Sequence, residues 1–145
     1  MSEKIILLVE DNPSDEALTL RAFRKNNISS TVVVKRDGAE ALDYLLVRRS
    51  DSGDTCALPQ LILLDLNLPK IDGLEVLRRI RADARTRLLP VVILTSSRED
   101  TDLMRGYDLG ANGYVRKPVD FVQFAEAVRQ IGLYWLIINE CPPTV

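Results

Sequence analysis

The sequence predicts an α/β domain built on a parallel β-sheet, and three observations carry this prediction. Five short apolar runs, rich in leucine and β-branched residues, are spaced along the chain. The runs are largely continuous, which is typical of strands buried on both faces of a sheet. Segments with helical periodicity separate the runs, and strands that alternate with helices form βαβ units with right-handed crossovers.

The five strands are predicted at these apolar runs, which are residues 5–9, 31–34, 61–64, 91–94 and 113–115. One segment departs from the alternation. Residues 48–59 are mostly polar and lie before the third run. Turn-forming residues without periodicity indicate a loop, and we expect an extended surface insertion there.

Five helices are predicted between and after the strands. Asn12-Pro13 offers an N-cap followed by a proline at the first helical position, and residues 37–40 have the form of a capping box. A third helix follows Asp72-Gly73, a fourth spans residues 98–109, and residues 118–120 open a fifth. The apolar positions at helical spacing are Leu18, Ala22, Phe23, Ala41, Leu42, Leu45, Leu74, Leu77, Ile80, Phe124, Val128, Ile131, Trp135 and Ile138.

Length and composition limit the classes of protein that remain. The 145 residues suit one domain, with a core at about residues 4–130 and a C-terminal helical extension at about 131–141. A net charge of −2 argues weakly against a nucleic-acid-binding role. The chain has no histidine, which excludes a Ser-His-Asp triad and a histidine-ligated zinc site.

Two further features of composition concern the compartment. Cys56 and Cys141 have no metal-ligand spacing, and we expect free thiols in a reducing cytosol. The longest apolar run, residues 131–138, is far shorter than a membrane span. We therefore expect a soluble, cytoplasmic protein that inserts into no membrane.

Polar residues with complementary chemistry follow four of the predicted strands. In a parallel α/β sheet, ligands bind at the carboxyl ends of the strands, so residues there are the first candidates for a site. The residues at these ends are Glu10 and Asp11 after the first strand, Asp65 and Asn67 after the third, Thr95 after the fourth and Lys117 after the fifth. Each is ordinary alone, and the joint occurrence carries the prediction of one site.

The chemistry of this set indicates a divalent cation and a phosphoryl group. Carboxylates converging on one edge repel one another unless a hard cation relieves the repulsion, and oxygen ligands favour Mg²⁺, Mn²⁺ or Ca²⁺ over zinc. Lys117 can pair with Asp65 and then with a phosphoryl oxygen, and Thr95 can donate to the same oxygen. A carboxylate such as Asp65 is a competent nucleophile toward phosphorus.

With these residues in view, the chain resembles the receiver domain of two-component response regulators. The resemblance runs from about Lys4 to about Ala127. It is carried by the stretches Leu8-Val9-Glu10-Asp11-Asn12, Leu63-Leu64-Asp65-Leu66-Asn67-Leu68-Pro69, Asp72-Gly73, Val92-Ile93-Leu94-Thr95-Ser96 and Gly110-Ala111-Asn112-Gly113-Tyr114-Val115-Arg116-Lys117-Pro118. It implies a flavodoxin-like, doubly wound parallel sheet of five strands in the order 2-1-3-4-5, with five helices.

The resemblance implies a role for each site residue. Asp65 matches the phosphoacceptor, and Mg²⁺ is held by Glu10, Asp11, Asp65 and the backbone carbonyl of Asn67. Thr95 and Lys117 match the switch hydroxyl and the lysine of the family, and Tyr114 matches the aromatic residue that changes exposure on activation. Asn67 and Ser97 match positions that modulate self-hydrolysis, and Pro118 matches a proline usually preceded by a cis peptide bond.

The implied function is phosphoryl transfer from a sensor histidine kinase to Asp65, followed by a change in the surface formed by the fourth helix, fifth strand and fifth helix. The protein thus catalyses its own modification without being a conventional enzyme. An aspartyl-phosphate hydrolase of the haloacid-dehalogenase type is disfavoured because Asn67 stands where that class needs a second acid. The remaining alternative is a receiver that is not phosphorylated and serves as a protein-binding module.

Three features resemble the single-domain regulators that pair with bacterial phytochromes. They are the segment at residues 48–59, the Asn12-Pro13-Ser14-Asp15 helix start and the lack of an output domain after the receiver. The apolar tail either folds back on its own domain or forms a homodimer interface, and we favour the dimer. The interface residues predicted in the tail are Tyr134, Trp135, Ile137 and Ile138.

Overall fold

The computed structural model contains a five-stranded parallel sheet whose strands, numbered along the chain, lie in the order 2-1-3-4-5, which is the order that the resemblance to receiver domains implies. It describes residues 4–26, 28, 30–47, 58–140 and 142. The strands are β1 Ile5–Val9, β2 Thr31–Lys35, β3 Leu61–Leu64, β4 Val91–Thr95 and β5 Gly113–Arg116. β2, β4 and β5 each extend one polar residue beyond the predicted apolar run, because backbone pairing continues where hydrophobicity ends.

Five helices pack against this sheet, and four begin where the cap residues predict. They are α1 Pro13–Lys25, α2 Gly38–Leu42, α3 Gly73–Ala82, α4 Asp100–Asp108 and α5 Phe121–Gly132. The side chains of Asn12, Asp37, Asp72 and Asp120 each accept a hydrogen bond from a backbone N–H in the first turn of their helix. Glu99 makes no such bond at the start of α4, which begins two residues later than predicted.

The core lies on both faces of the sheet because successive strand residues point to opposite sides. In β1, Leu7 and Val9 belong to the cluster packed on α2 and α3, whereas Ile6 and Leu8 belong to the cluster packed on α1 and α5. Ile6, Leu7 and Val9 are completely buried. The central strands are therefore fixed on both sides, which holds their carboxyl ends rigidly.

The C-terminal tail differs in detail from the predicted helical face. After α5 the chain continues as a π-helical segment, Leu133–Ile138. A π-helix has more residues per turn than an α-helix, so the side chains beyond Gly132 rotate relative to the α-helical pattern. Leu136 therefore becomes the buried residue, Trp135 is half-buried and Ile138 is exposed. The apolar positions Trp135 and Ile138 therefore do not share one buried face with Val128 and Ile131.

A second π-helical segment, Asp43–Val47, follows α2 and leads toward the predicted insertion. Residues 48–57 of that insertion, as well as Cys56 and Cys141, lie outside the described residues, so the predicted loop and the predicted free thiols stay predictions. Within the described ranges, no helix is both long and apolar enough to cross a membrane.

Candidate functional site

The carboxyl ends of β1, β3 and β5 bring the predicted acidic and basic residues into one pocket. Glu10, Asp11 and Asp65 each offer a carboxylate oxygen, and these oxygens lie within 4.8 Å of one another. Glu10 and Asp65 are buried, with exposed fractions of 2% and 6%, whereas Asp11 is exposed at the mouth. The arrangement follows from the topology, since parallel strands end at the same edge of the sheet.

Lys117 is the cation of this pocket, and its ammonium group contacts three carboxylates. Its Nζ donates to Glu10 Oε1 at 2.6 Å and to Asp65 Oδ2 at 3.2 Å. It also donates to Asp15 Oδ2 at 2.7 Å. Asp15 was not among the predicted site residues. Its position one helical turn beyond Asp11, at the start of α1, is the only signal in the sequence that indicates its place at the pocket.

The pKa values of Glu10 and Lys117 are both raised in this pocket. Burial raises the pKa of Glu10 to about 7, and the nearby Asp65 adds to this, although the hydrogen bond from Lys117 opposes it. Burial alone would lower the pKa of Lys117, but its hydrogen bonds to Asp15 and Glu10 raise that pKa above its ordinary value. The raised pKa of Glu10 therefore reflects its burial, whereas the raised pKa of Lys117 reflects the carboxylates that its ammonium group contacts.

The donor set of the pocket fits a hard divalent cation. All three converging side chains offer carboxylate oxygens, and neither sulfur nor imidazole is among them. Such an acidic cluster is typical of receiver domains. The Asn67 side chain is exposed, and its backbone N–H donates to Asp65 Oδ1 at 3.3 Å. This bond orients Asp65, and the predicted role of the Asn67 carbonyl as a metal ligand stays a prediction.

Thr95 is the last residue of β4 and is completely buried. Its hydroxyl oxygen accepts from the backbone N–H of Ser97 at 3.2 Å. The Ser97 hydroxyl in turn donates to Asp102 Oδ2 at 2.7 Å, which fastens the loop after β4 to α4. As the Thr95 oxygen is an acceptor in this contact, its own O–H remains able to donate to a group in the pocket.

Tyr114, in β5, packs inward against α4. Its ring lies 6.4 Å from the ring of Tyr107, measured between centroids. A Cβ atom placed on Gly106 would lie 3.2 Å from the Tyr114 ring, so α4 approaches the ring where it has no side chain. Burial, followed by the charge of Asp102, raises the pKa of the Tyr114 hydroxyl.

The peptide bond before Pro118 is trans, and the predicted cis bond is wrong for this structure. The trans isomer is the intrinsically preferred one for X-Pro bonds. Lys117 reaches the pocket from this backbone because its own N–H donates to the Thr95 carbonyl at 2.7 Å. A cis bond is therefore not needed to aim the lysine inward.

The tail residues predicted as an interface are mostly exposed. Tyr134, Ile137 and Ile138 have exposed fractions of 48%, 71% and 59%. Trp135 is half-buried and packs edge-on against the Tyr134 ring, with the centroids 5.0 Å apart. These residues form an apolar surface next to α5.

A doubly wound sheet of this order, with an acidic pocket and a buried lysine at its carboxyl edge, defines a receiver-type signalling domain. The comparison with family models agrees. Residues 6–129 match the model of the response regulator receiver domain, and the chain belongs to this family.

Curated relatives match most of the chain. It is 45% identical to the probable methanogenesis regulatory protein FilR2 of Methanothrix harundinacea, over 95% of this chain and 87% of FilR2. It is 36% identical to the response regulator Rcp1 of Synechocystis sp., over 92% of this chain and 89% of Rcp1. These relatives are similar in length as well as in sequence.

Solved structures place the chain near regulators associated with phytochromes. The phosphorylated cyanobacterial phytochrome response regulator RcpA has a TM-score of 0.88 and 39% identity, covering 98% of this chain and 100% of RcpA. The Mn²⁺-bound form of Rcp1 has a TM-score of 0.85 and 35% identity, covering 97% and 99%. The bacteriophytochrome response regulator AtBRR is 51% identical with a TM-score of 0.75, covering 97% and 100%.

Proposed function

We propose that this chain is a phosphoacceptor response regulator that receives a phosphoryl group on Asp65 from a sensor histidine kinase. The observation that carries the proposal is the pocket itself, in which Glu10, Asp11 and Asp65 converge beside Lys117. The three carboxylates, with the backbone carbonyl of Asn67, would hold Mg²⁺. The phosphorylated RcpA and the Mn²⁺-bound Rcp1 are relatives in which a phosphoryl group and a divalent cation, respectively, are present.

The transfer joins a carboxylate oxygen of Asp65 to phosphorus. As this P–O bond forms, the P–N bond of the donor phosphohistidine breaks, and the imidazole nitrogen leaves with the electron pair. The Lys117 ammonium and the Thr95 hydroxyl can donate to the phosphoryl oxygens, where negative charge develops. Mg²⁺, when bound, supplies further neutralisation of the transferring group.

The phosphoryl group then biases the surface formed by α4, β5 and α5. Thr95 turns its hydroxyl toward the new anion, and Tyr114 moves with it. Two features support this coupling. The loop after β4 depends on the Thr95 and Ser97 hydroxyl contacts, and Tyr114 lies against the side-chain-free surface of Gly106. Such switches generally work because a local change in charge shifts the equilibrium between two conformations of one part of the fold.

We further propose that the kinase partner belongs to the phytochrome class. Rcp1 and RcpA are similar over nearly the whole chain, and the names of RcpA and AtBRR assign both to phytochrome signalling. Residues 1–145 would act as a single receiver domain, in which the segment Leu133–Ile138 continues α5. The exposed tail residues Tyr134, Ile137 and Ile138, with Trp135 beside them, would pair two copies of the chain.

Intact-mass spectrometry after incubation with Mg²⁺ and acetyl phosphate tests the phosphoacceptor proposal. We expect one added phosphoryl group in the wild type and none in Asp65→Asn or in a sample containing a chelator. Binding of Mn²⁺, measured by electron paramagnetic resonance, is the control that the pocket is intact. Metal binding without an adduct would instead favour the alternative of a protein-binding module that is not phosphorylated.

A further inference from the structure

The ammonium group of Lys117 has no free donor in this structure. Its Nζ donates to carboxylate oxygens of Glu10 at 2.6 Å, Asp15 at 2.7 Å and Asp65 at 3.2 Å, which uses all three N–H groups. The contact to the phosphoacceptor is the longest of the three. A phosphoryl oxygen that needs a Lys117 proton must therefore displace one of these carboxylates.

Asp15 differs from the other two carboxylates in position. It stands in the first turn of α1, outside the group of Glu10, Asp11 and Asp65 whose oxygens converge for a metal ion. Its side chain is 27% exposed, so it lies toward the mouth of the pocket rather than at its base. Of the three carboxylates that contact Lys117, Asp15 is therefore the most accessible to an incoming group.

The backbone beneath Asp15 is fixed from both sides. Its N–H donates to the side-chain oxygen of Asn12 at 3.2 Å, and its carbonyl accepts from the Thr19 hydroxyl at 2.8 Å. These bonds hold the first turn of α1 in place without using the Asp15 side chain. The carboxylate is thus available to accept from Lys117. Replacing this side chain leaves the hydrogen bonds of the helix cap intact.

We propose that Asp15 is a positioning residue that holds Lys117 in the unphosphorylated pocket and slows phosphorylation of Asp65. The inference rests on the proposed phosphoacceptor function. Its carboxylate competes with the phosphoryl group for a Lys117 proton, and its negative charge repels the anionic donor. Asp15 touches neither the reacting atoms nor the converging metal ligands, so it acts only through Lys117 and through its charge.

Acetyl phosphate is the phosphoryl donor in the reaction that Asp15 is proposed to slow. A carboxylate oxygen of Asp65 forms the new P–O bond, and the bond from phosphorus to the acetate oxygen breaks. Acetate leaves with that electron pair. Asp15 loses its contact with Lys117 during this step, and no proton is transferred from either residue.

The chain offers a matched control in the next residue, Glu16. It lies in the same first turn of α1 and carries the same charge, but it pairs with Arg36, at 3.0 Å, rather than with Lys117. Glu16→Gln therefore removes an equal charge from the same end of the helix without freeing the lysine. Asp15→Glu is the conservative variant, since it restores the carboxylate.

The test compares rates of phosphorylation by intact mass over a series of acetyl phosphate concentrations, beside Mn²⁺ affinities from electron paramagnetic resonance. We expect Asp15→Asn to raise the rate at subsaturating donor by about three- to tenfold, because a charge-assisted bond at a partly exposed site is weakened. The Mn²⁺ affinity should change by less than about twofold, because Asp15 is not a ligand. Glu16→Gln should react like the wild type, and Asp15→Glu should react more slowly than Asp15→Asn.

Two results would overturn the inference while leaving the phosphoacceptor function in place. One is a phosphorylated wild type with an Asp15→Asn variant that reacts at the same rate or more slowly. The other is an equal acceleration in Glu16→Gln, which would assign the effect to the general field of α1. A wild type that forms no adduct although it binds Mn²⁺ would overturn the proposed function and the inference together.

Discussion

Lys117 is the residue on which the chemistry of the pocket most depends. It is the only cation that contacts Glu10 and Asp65 among the described residues, and both carboxylates are buried. A buried carboxylate without a partner protonates rather than remains charged. Lys117 therefore both pairs with the two buried carboxylates and provides a donor for the transferring group.

Replacement of Lys117 by methionine should separate metal binding from phosphoryl transfer. We expect the phosphorylation rate to fall by about 100-fold, the usual effect of losing one donor to a developing anion. Mn²⁺ affinity should stay equal or rise, because a positive charge leaves the pocket. Rates by intact mass and affinities by electron paramagnetic resonance check both statements. Lys70→Met, which changes an exposed lysine paired with Asp37, is the control; an unchanged rate in Lys117→Met would contradict the assigned role.

The raised pKa of Glu10 predicts a pH dependence near neutrality. Its pKa rises from 4.5 to about 7, so between these values the folded protein holds a proton that the unfolded chain has released. In metal-free protein this contribution to stability is complete below pH 4.5 and is lost as the pH rises through about 7. Metal binding needs the carboxylate, so Mn²⁺ affinity should rise over the same range and then level.

Mn²⁺ titrations across this pH range, with thermal unfolding of metal-free samples, measure both effects. The chain contains no histidine, whose side chain would otherwise titrate in the same range. The control is Glu10→Gln, in which the pH dependence should largely disappear and the affinity should be low throughout. A wild-type affinity that does not change with pH would contradict the assignment to Glu10.

The sequence predicts the residues of the pocket but not all of their hydrogen-bonding partners. Residues at strand ends can be recognised because parallel strands share one carboxyl edge, and this rule brings Glu10, Asp65 and Lys117 together. This rule does not identify Asp15, because Asp15 belongs to a helix and its contact with Lys117 joins residues 102 positions apart in the sequence. The trans bond before Pro118 also differs from the prediction, which came from the resemblance rather than from the residues.

Among the elements, the start of α3 most directly controls the position of Asp65. Gly73 begins this helix, and its N–H donates to the Leu66 carbonyl at 2.9 Å. A Cβ atom on Gly73 would collide with the carbonyl oxygen of Asp65. The absence of a side chain thus allows the helix to approach the backbone that carries the acceptor.

Gly73→Ala should therefore destabilise the fold and disturb the site. We expect a loss of about 3 kcal/mol in the free energy of unfolding, since backbone must move to admit the methyl group. Urea unfolding measures this loss, and intact-mass kinetics measure a slower phosphorylation. Gly113→Ala is the matched control, because its added carbon would meet Val92 at an ordinary 3.5 Å. Equal stabilities of the two variants would contradict the close approach of α3.

Helix starts were easier to predict from sequence than the course of the tail. Asn12, Asp37 and Asp72 act as caps through bonds to residues two or three positions away, so a local pattern is enough. The π-helical turn after Gly132 depends on packing between the tail and the rest of the fold, which a period of 3.6 residues does not contain. Leu136 is therefore buried, whereas Ile138 is exposed.

The C-terminal tail provides the surface that we propose joins two copies of this chain. The double variant Ile137→Asp with Ile138→Asp should weaken the dimer by at least about 30-fold, as expected when central apolar contacts are lost. Size-exclusion chromatography with light scattering over a concentration series measures this. Leu88→Asp changes an apolar residue of 46% exposure elsewhere and should leave the dimer intact. A wild type that is monomeric at all concentrations would contradict the proposed pairing.

The order of the strands follows from more than the apolar runs. Alternation of strands and helices predicts a parallel sheet, but several orders satisfy it, and the resemblance to receiver domains selected 2-1-3-4-5. The structure confirms this order. It also explains why Glu10 and Asp65 meet in one pocket, because β1 lies next to β3 and their carboxyl ends are neighbours.

Reductive trapping tests the assignment of Asp65 most directly. The protein is incubated with Mg²⁺ and acetyl phosphate, treated with borohydride, which reduces an aspartyl phosphate to homoserine, and digested for peptide mass spectrometry. We predict homoserine at position 65 alone, and none when donor or Mg²⁺ is omitted. Homoserine at another carboxylate, or an intact Asp65 in protein that carries the phosphoryl group, would contradict the assignment.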